Sequence, residues 1–543
     1  MCDSDKDLRY SPSGIPLKPV YGPADIPGVP YSERIADPGH YPYTRGLYPQ
    51  MYRTSPWATL EVSGYGLPEE TAERQRFLIS QGQAHLFGRP AVHICFDLGT
   101  QYGFDCADPL AQFDVGRCGT QVNSIEDMSL LFKPLQVEDL HTSFIICPSA
   151  AVILALYVAA AEARGIPRHK LRGSINNCSI IAPIADNMIS FPLGDTLRLM
   201  LDVVKFCTEE MPYMHPVTFQ VYSCRERGAT AVQELAFSLA AALTVVRGGI
   251  DRGLDIDAFA PKLVFFYSLN NNFFEEIAKL RAARRMWATI MRDKFGARSP
   301  KSWMCQMLSQ TSGASLPAQE PLNNVARVAI QALAGVLGGV QAMHTCAYDE
   351  ALDIPTEEAV RVAVKTQRIL EHETGVIDVA DPLGGSYYVE YLTDRVEEEA
   401  WKYLERIEEM GGYIAALEKG YLQREIAEAA QRHQKEVESG ERVIVGVNKY
   451  VSQEKVPVET FCYNPRAKEI AVSRLEDFKR RRDGAPVSAA LAELQEAARD
   501  ADAYLMPLIL KAITNKATVG EVMGTLRGVF GDYQQEITLA GAS

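Results

Sequence analysis

Glu226 and Glu350 are carboxylates set among apolar segments, and if folding buries them each needs a hydrogen-bonding partner, because an unpaired buried charge is costly. The histidines are isolated along the chain, with no two at the spacing of metal ligands. The 11 cysteines are scattered, form no Cys-x-x-Cys pair and in several cases sit inside apolar runs, as buried free thiols do. That usage implies a reducing, cytoplasmic setting. No P-loop, Gly-x-Ser-x-Gly or His-Glu-x-x-His string occurs, and Gly335-x-x-x-Gly339 ends an apolar helical stretch that packing alone explains. Generic motifs therefore favour an enzyme without naming its reaction.

The elements that must hold such groups are legible as an alternation. Ala91–Phe96, Ser143–Cys147, Val217–Val221 and Leu263–Tyr267 have strand length and apolar content. Between and after them, Ala151–Arg164, Thr196–Thr208, Ala231–Val246, Asn272–Phe295 and Leu322–Leu337 read as helices. Strand-then-helix order predicts an α/β fold with a parallel sheet, and the length of 41–388 suits a closed (β/α)8 TIM barrel, although periodicity alone does not separate this from an open sheet. Residues 1–40, rich in Pro, Gly, Asp and Tyr, predict an extended N-terminal arm. Residues 389–543 predict a C-terminal helical extension, with helices over Thr393–Met410, Ile414–Glu436, Ala489–Ala501 and Val519–Phe530 and a break at Pro457–Arg466.

A net charge of −14 argues against a nucleic acid or a membrane surface as partner, since either needs a basic footprint. It says nothing about one cleft, so a basic pocket for a phosphorylated ligand stays compatible. No run approaches the about 18 consecutive apolar residues of a membrane span. The acidic, polar start is unlike a secretory or transit signal.

Longer strings are more specific. Tyr41-Pro-Tyr-Thr-Arg-Gly46, Phe96-Asp97-Leu98, Gly103-Phe104-Asp105, Asn123-Ser124-Ile125-Glu126-Asp127-Met128, Ser309-Gln-Thr-Ser-Gly313, Asp349-Glu350-Ala351 and Gly446-Val-Asn-Lys-Tyr450 run colinearly across 41–450. Together they resemble the methylmalonyl-CoA mutase family of adenosylcobalamin-dependent acyl-CoA mutases. The resemblance implies a barrel that threads the pantetheine arm of an acyl-CoA along its axis, with cobalamin across one end. Single-chain members continue into a cobalamin domain whose Asp-x-His-x-x-Gly string supplies the cobalt ligand; this sequence contains no such string. The expected partner is thus a separate small cobalamin-binding subunit in a hetero-oligomer, with no metal ligand on this chain. The resemblance implies chemistry in which the cofactor forms and quenches radicals while the protein positions and shields them.

Carried over position by position, the resemblance assigns cofactor contacts to Phe96, Cys118, Glu226, Gly313, Gln341, Glu350 and Ala351. It assigns substrate contacts to Tyr48, Met51, Val62, Cys95, Ser143, Ser174, Asn176, Lys262 and Gln310, and the reacting end to Tyr222, Ser223 and Asp186. Without the resemblance, Phe96 reads as a core strand aromatic.

The substrate positions depart from the family in a pattern. Asp186 stands where methylmalonyl enzymes carry an arginine for the free substrate carboxylate; at 4 Å and a dielectric near 20, each such term is about 4 kcal/mol, so the charge reversal disfavours methylmalonyl-CoA. Val62 replaces a wedging tyrosine and leaves room for a bulkier acyl group. Cys95 replaces the aspartate of hydroxyacyl-CoA mutases, and Ser223 replaces a histidine aimed at the thioester carbonyl. Leu60 and Ser55 replace CoA-contacting arginines, Lys262 stands for another, and Asn176 replaces a glutamine. A short insertion after Gly82-Gln83, ahead of the Ala91 strand, alters the barrel mouth. The expected function is a carbon-skeleton mutase on an acyl-CoA other than methylmalonyl-CoA. Its rivals are a non-catalytic barrel that stabilises a homologous one, and a mutase on a substrate without CoA.

Overall fold

In a computed structural model of the chain, residues 9–18, 20–25, 31–186, 188, 190–452 and 457–533 are described. The strands are β1 (Arg9–Tyr10), β2 (Pro16–Leu17), β3 (Ala58–Thr59), β4 (Val62–Ser63), β5 (Ala91–Cys95), β6 (His141–Ile145), β7 (Arg172–Ile175), β8 (Tyr213–His215), β9 (Val217–Gln220), β10 (Leu263–Leu269), β11 (Gln306–Thr311) and β12 (Ala342–His344). β1 and β2 form an antiparallel hairpin, so the predicted arm is partly structured. The rest make two sheets, in the orders β3-β12-β11-β10-β9 and β4-β5-β6-β7-β8. The pairings from β10 through β11 and β12 to β3, and from β4 through to β8, are parallel. An α/β fold with parallel sheets is therefore what the chain adopts.

The chain divides into two compact units, one of residues 1–59, 220–244 and 264–461, the other of 60–219, 245–263 and 462–543. The expected helical extension is split between them within the Pro457–Arg466 break. Tyr387–Glu409, Tyr413–Glu418 and Tyr421–Ser439 belong to the first unit; Ala467–Arg481, Gly484–Ala498, Met506–Thr514 and Val519–Phe530 belong to the second. The single helix expected over Ile414–Glu436 is two, because Gly420 takes a left-handed φ of +67° that ends one and starts the next.

In the second unit the alternation of side chains along each strand sorts two faces. Val92, Ile94, Phe96, Phe144, Ile146, Ile175 and Met214 belong to one buried apolar cluster with the helix Ala150–Ala163, almost every side chain of which is itself buried. The opposite parity is polar. Register aligns Val62, His93, Ser143, Ser174 and His215 in one row across β4 to β8. The helix Ala231–Asp251 is long and apolar enough to cross a membrane by length and composition, but 83% of its most apolar window is buried inside the fold, which is how a core helix behaves.

Candidate functional site

The first unit builds a cluster at the carboxyl ends of its strands. After β9 the short helix Tyr222–Glu226 carries three of the predicted residues within one and a half turns. The Tyr222 hydroxyl accepts the Gly313 N–H at 3.3 Å and its ring lies 5.4 Å from that of Phe266 at 21°. Burial above all pushes its phenol well above the ordinary tyrosine value. Ser223 is buried, and its hydroxyl accepts the Gln220 amide at 3.2 Å. Glu226 accepts the Ser312 hydroxyl at 2.8 Å and the Ala314 N–H, and burial raises its carboxyl against those bonds.

Glu350 follows β12 and stands opposite. Burial, joined by the like charges of Glu226 and Asp349 and opposed by His344, lifts its carboxyl to about 7. Gly313 lies between the two: a Cβ there would come within 3.1 Å of Glu350 Oε1 and 3.3 Å of Glu226 Oε2. A side chain at 313 would thus intrude on both carboxylates. Gln310, buried on β11 and level with His344, directs its amide to Cys346 Sγ at 3.6 Å. Ala351 is exposed in the turn after Glu350. A cleft of about 450 Å³ opens beside Glu226, walled by Asn270–Asn272, Ala314, Ser315 and the helix Tyr421–Ser439.

Beneath this cluster lies a buried ion network that anchors its helix. Arg225 donates to Glu276 at 2.7 Å, and Lys279 donates to Glu234 at 2.6 Å and to Glu276. Glu234 also accepts the Ser268 N–H of β10. Lys279, Glu234 and Glu276 have fully buried side chains, so each charge depends on the others.

Tyr48, Met51 and Gln341 are not in this cluster. Gln341 immediately precedes β12, where its amide bonds the Met307 N–H at 2.9 Å and the Gly339 carbonyl at 2.8 Å. Met51 is buried close to Gly339, its Sδ meeting the Tyr48 N–H at 3.5 Å, while Tyr48 remains partly exposed. These three mark the amino ends of the first unit's strands.

In the second unit, five predicted residues share the polar face. Cys95, Val62, Ser143, Ser174 and Asn176 all have the parity of the His93 row, and the Ser143 and Ser174 hydroxyls meet at 2.6 Å. Asn176 is buried, its N–H donating to Phe144 O and its carbonyl accepting the Thr218 N–H. Burial pushes the Cys95 thiol up, with Cys118, Asp97 and Asp186 adding to the effect. Asp186 is exposed at the end of the turn Ala182–Ala185, and its charge also reaches Tyr102 and Cys147. Cys118 is exposed beside Tyr65. Phe96 has the opposite parity: its ring is in the apolar core, 5.7 Å from that of Phe144, which matches the core-aromatic reading. The Lys262 ammonium donates to the Cys207 carbonyl at 2.8 Å, at the end of the helix Leu193–Glu210, and burial lowers its pKa.

The residue-by-residue reading missed Ser312, Ala314 and Cys346, which complete the carboxylate cluster, and His85, His93, His141 and His215, which gather in the second unit. The strand alternation carried a signal for the last group. In Ala91–Cys95 and His141–Ile145, His93 and His141 have the same parity as Cys95 and Ser143.

Comparison with known proteins follows this geometry. The family model described as methylmalonyl-CoA mutase matches residues 10–532. The chain is 38% identical over 531 residues to the 2-hydroxyisobutanoyl-CoA mutase large subunit of Aquincola tertiaricarbonis, covering 98% of this chain and 93% of that one. It is 38% identical over 539 residues to the methylmalonyl-CoA mutase of Rhizobium meliloti, covering 98% of this chain and 74% of that one. Against the mitochondrial methylmalonyl-CoA mutase of Homo sapiens it is 37% identical over 528 residues, covering 97% and 69%.

Proposed function

Because this chain belongs to the methylmalonyl-CoA mutase family, we propose that it is the substrate-binding large subunit of an adenosylcobalamin-dependent mutase. In this reading it isomerises an acyl-CoA thioester whose acyl group bears no free carboxylate. The observation that carries it is the cradle at Gly313, where the lack of a side chain leaves space between two buried carboxylates. Glu226 and Glu350 are acceptors of the kind that sugar hydroxyls satisfy, and they would hold the nucleoside part of the cofactor. When bound, adenosylcobalamin supplies hydrogen-atom transfer chemistry that no side chain provides.

The chain's own groups orient and enclose. Tyr222, fixed by the Gly313 N–H and stacked on Phe266, presents a rigid wall, and its raised phenol pKa keeps it neutral. Ser223 and Gln310 offer hydroxyl and amide donors for a thioester carbonyl. Burial of these groups excludes water and competing hydrogen donors. On the second unit, Asn176 and the Ser143–Ser174 pair give the polar lining of an extended arm, and the charge of Asp186 repels a carboxylate.

The two sheets are halves of one closed (β/α)8 barrel in this reading. In its support, β3 and β4 are separated by only Leu60-Glu61, and β8 and β9 by Pro216, yet each sheet holds one member of each pair at its edges. Counting each pair once gives eight strand positions. The small cobalamin-binding subunit is a further part of the proposal. It is supported by the relative from Aquincola tertiaricarbonis, whose name is that of a large subunit.

Anaerobic incubation of the chain with a cobalamin-binding small subunit, adenosylcobalamin and a panel of branched acyl-CoA thioesters tests the reading. Turnover of at least one thioester without a free carboxylate is expected. Cofactor retention with no turnover of any member would refute catalysis, and preferential turnover of methylmalonyl-CoA would refute the proposed selectivity.

A further inference from the structure

The β6–β7 register runs on past the strand ends and sets two cysteines against each other. Ser143 pairs with Ser174 and Phe144 with Ile175, and the ladder continues as the Asn176 and Asn177 N–H groups donate to the Phe144 and Ile146 carbonyls. Cys147 and Cys178 each lie three residues beyond the Phe144–Ile175 pair, so they stand opposite, and their Sγ atoms are 3.1 Å apart. Both are buried free thiols of the same unit. Their separation exceeds a disulfide bond by only about 1 Å, and paired strands hold their backbones at a spacing that a disulfide accepts.

Each cysteine is the root of the element that follows it. The Cys147 carbonyl accepts the Ala150 N–H at 3.1 Å, where the helix Ala150–Ala163 begins. The Cys178 carbonyl accepts the Ile181 N–H at 2.8 Å and the Ala182 N–H at 3.4 Å. The turn built on it ends at Asp186, whose N–H returns to the Ala182 carbonyl at 2.9 Å. A covalent bond between the two sulfurs therefore ties the root of that turn to the root of a buried helix. Pro148, Asn177 and Ser179, chain neighbours of the pair, wall a small cavity together with Met188 and Ser190. Ser190 Oγ is buried there without a hydrogen-bonding partner among the described residues, so a small polar molecule entering the cavity has a group to meet.

We propose that Cys147 and Cys178 are a modification site: hydrogen peroxide converts the pair to a reversible disulfide that fixes the turn carrying Asp186. One sulfur attacks the peroxide, the O–O bond breaks and water leaves, giving a sulfenic acid. The second sulfur then displaces the hydroxyl. The S–O bond breaks, the S–S bond forms, and a second water leaves with the hydroxyl and the second thiol's proton. Two thiols thus give up two electrons and two protons, and one peroxide becomes two waters. The second step is fast because the resolving sulfur is already in contact, which protects the first from over-oxidation. The first step is slow. The bond to Cys178, then burial, then the charges of Cys178 and Asp186 push the Cys147 thiol well up, so little thiolate is present. The pair therefore answers sustained peroxide rather than a brief pulse. Formation of the disulfide does not depend on the acyl-CoA reading; its effect on a thioester does, through Asp186.

Hydrogen peroxide treatment of the full-length chain, alkylation under denaturing conditions and peptide mass mapping test the site. The expected product is a Cys147–Cys178 cross-link, lighter by two hydrogens and reversed by dithiothreitol. Its thermal midpoint should lie several degrees above that of the reduced chain, because the link constrains the unfolded state. Cys147→Ser and Cys178→Ser should each abolish the cross-link and the shift. Finding both cysteines still alkylatable, or either carried to sulfinic acid, after the exposed Cys462 has been oxidised overturns the inference. A cross-link that leaves the midpoint unchanged or lowers it overturns the lock. The unmodified chain decides these outcomes even if a variant does not fold. With the small subunit and adenosylcobalamin present, the cross-linked chain should turn over its best thioester several-fold more slowly and recover on reduction. A cross-link without that change keeps the dithiol and counts against Asp186 as part of the acyl site, and a reduced chain with no turnover counts against the mutase reading alone.

Discussion

The two units present buried ionisable clusters of opposite kind. Around Gly313, the Glu226 carboxyl accepts a hydroxyl and a backbone N–H, and the Glu350 carboxyl has His344 and Cys346 beside it. In the other unit the His85 and His141 rings stack, and burial, joined by the basic neighbours His215 and Arg89, lowers the pKa of both. Burial acts on both by disfavouring charge, so it drives the carboxyls toward the protonated form and the imidazoles toward the neutral one. The same physics thus shifts the acids of one unit and the bases of the other in opposite directions.

The comparison breaks most severely if the acidic cluster loses its foundation. Lys279→Met leaves Glu234 and Glu276 buried without their shared cation, and the expected loss of stability is about 3–5 kcal/mol. Thermal unfolding measures it, and an unchanged midpoint would show that Arg225 alone neutralises the pair. A smaller and more local break is Gly313→Val. Its side chain must displace both carboxylates, which at about 1–3 kcal/mol weakens adenosylcobalamin retention some ten- to hundredfold. Circular dichroism of the variant should match the parent; undiminished cofactor retention would remove the cradle from the site.

Stability against pH sharpens the contrast, because the clusters pull in opposite directions. The Glu350 carboxyl is raised to about 7, so the native state holds a proton that the unfolded state releases between about 4.5 and 7. Its contribution is full below that window and is lost as pH rises through it. His85 is lowered to about 4 by burial, with His215 and Arg89 adding, so the unfolded state binds the extra proton between about 4 and 6.5. That contribution is full above the window and is lost as pH falls. From pH 5 to 6.5 the two slopes oppose each other. Glu350→Gln should therefore leave a midpoint that climbs with pH over this range, and His85→Gln one that declines. Parallel curves for the two variants would contradict the assignment of opposite signs.

How much of this the sequence shows depends on the strand. Ala91–Cys95 and Leu263–Leu269 are apolar enough to be read directly. Arg172–Ile175 and Gln306–Thr311 are not, because polar side chains interrupt the apolar run of each, and β3, β4, β8 and β12 are too short for any period to register. Part of the carboxylate cluster was legible because Gly313 and Glu350 sit in specific strings, Ser309-Gln-Thr-Ser-Gly313 and Asp349-Glu350-Ala351, while Glu226 was placed by the resemblance position by position. Gln341 was assigned with them, yet its amide is spent on backbone groups at the far strand end, which string position alone does not reveal. The imidazole cluster was hidden for a different reason. His85, in the turn ahead of β5, and His141, at the start of β6, are far apart in sequence and meet only in the fold, so neither shows its neighbour in the sequence.

The mildest test concerns Asp186, an exposed acidic group whose charge reaches Cys95. Asp186 is exposed, so its field on a ligand carboxylate lies between the limits for water and for a protein surface, about 1–4 kcal/mol at 4 Å. Exposure places the effect at the lower end. Asp186→Asn should then raise the affinity for a thioester with a free acyl carboxylate by about tenfold relative to its uncharged analogue, with the affinity for the uncharged analogue unchanged. Paired competition titrations at low and moderate salt measure the ratio, and added salt should shrink it, since screening weakens an exposed interaction first. An identical ratio in parent and variant would place Asp186 away from the acyl group. Selectivity against a carboxylate would then have to come from the shape of the wall around Val62 and Cys95 rather than from charge.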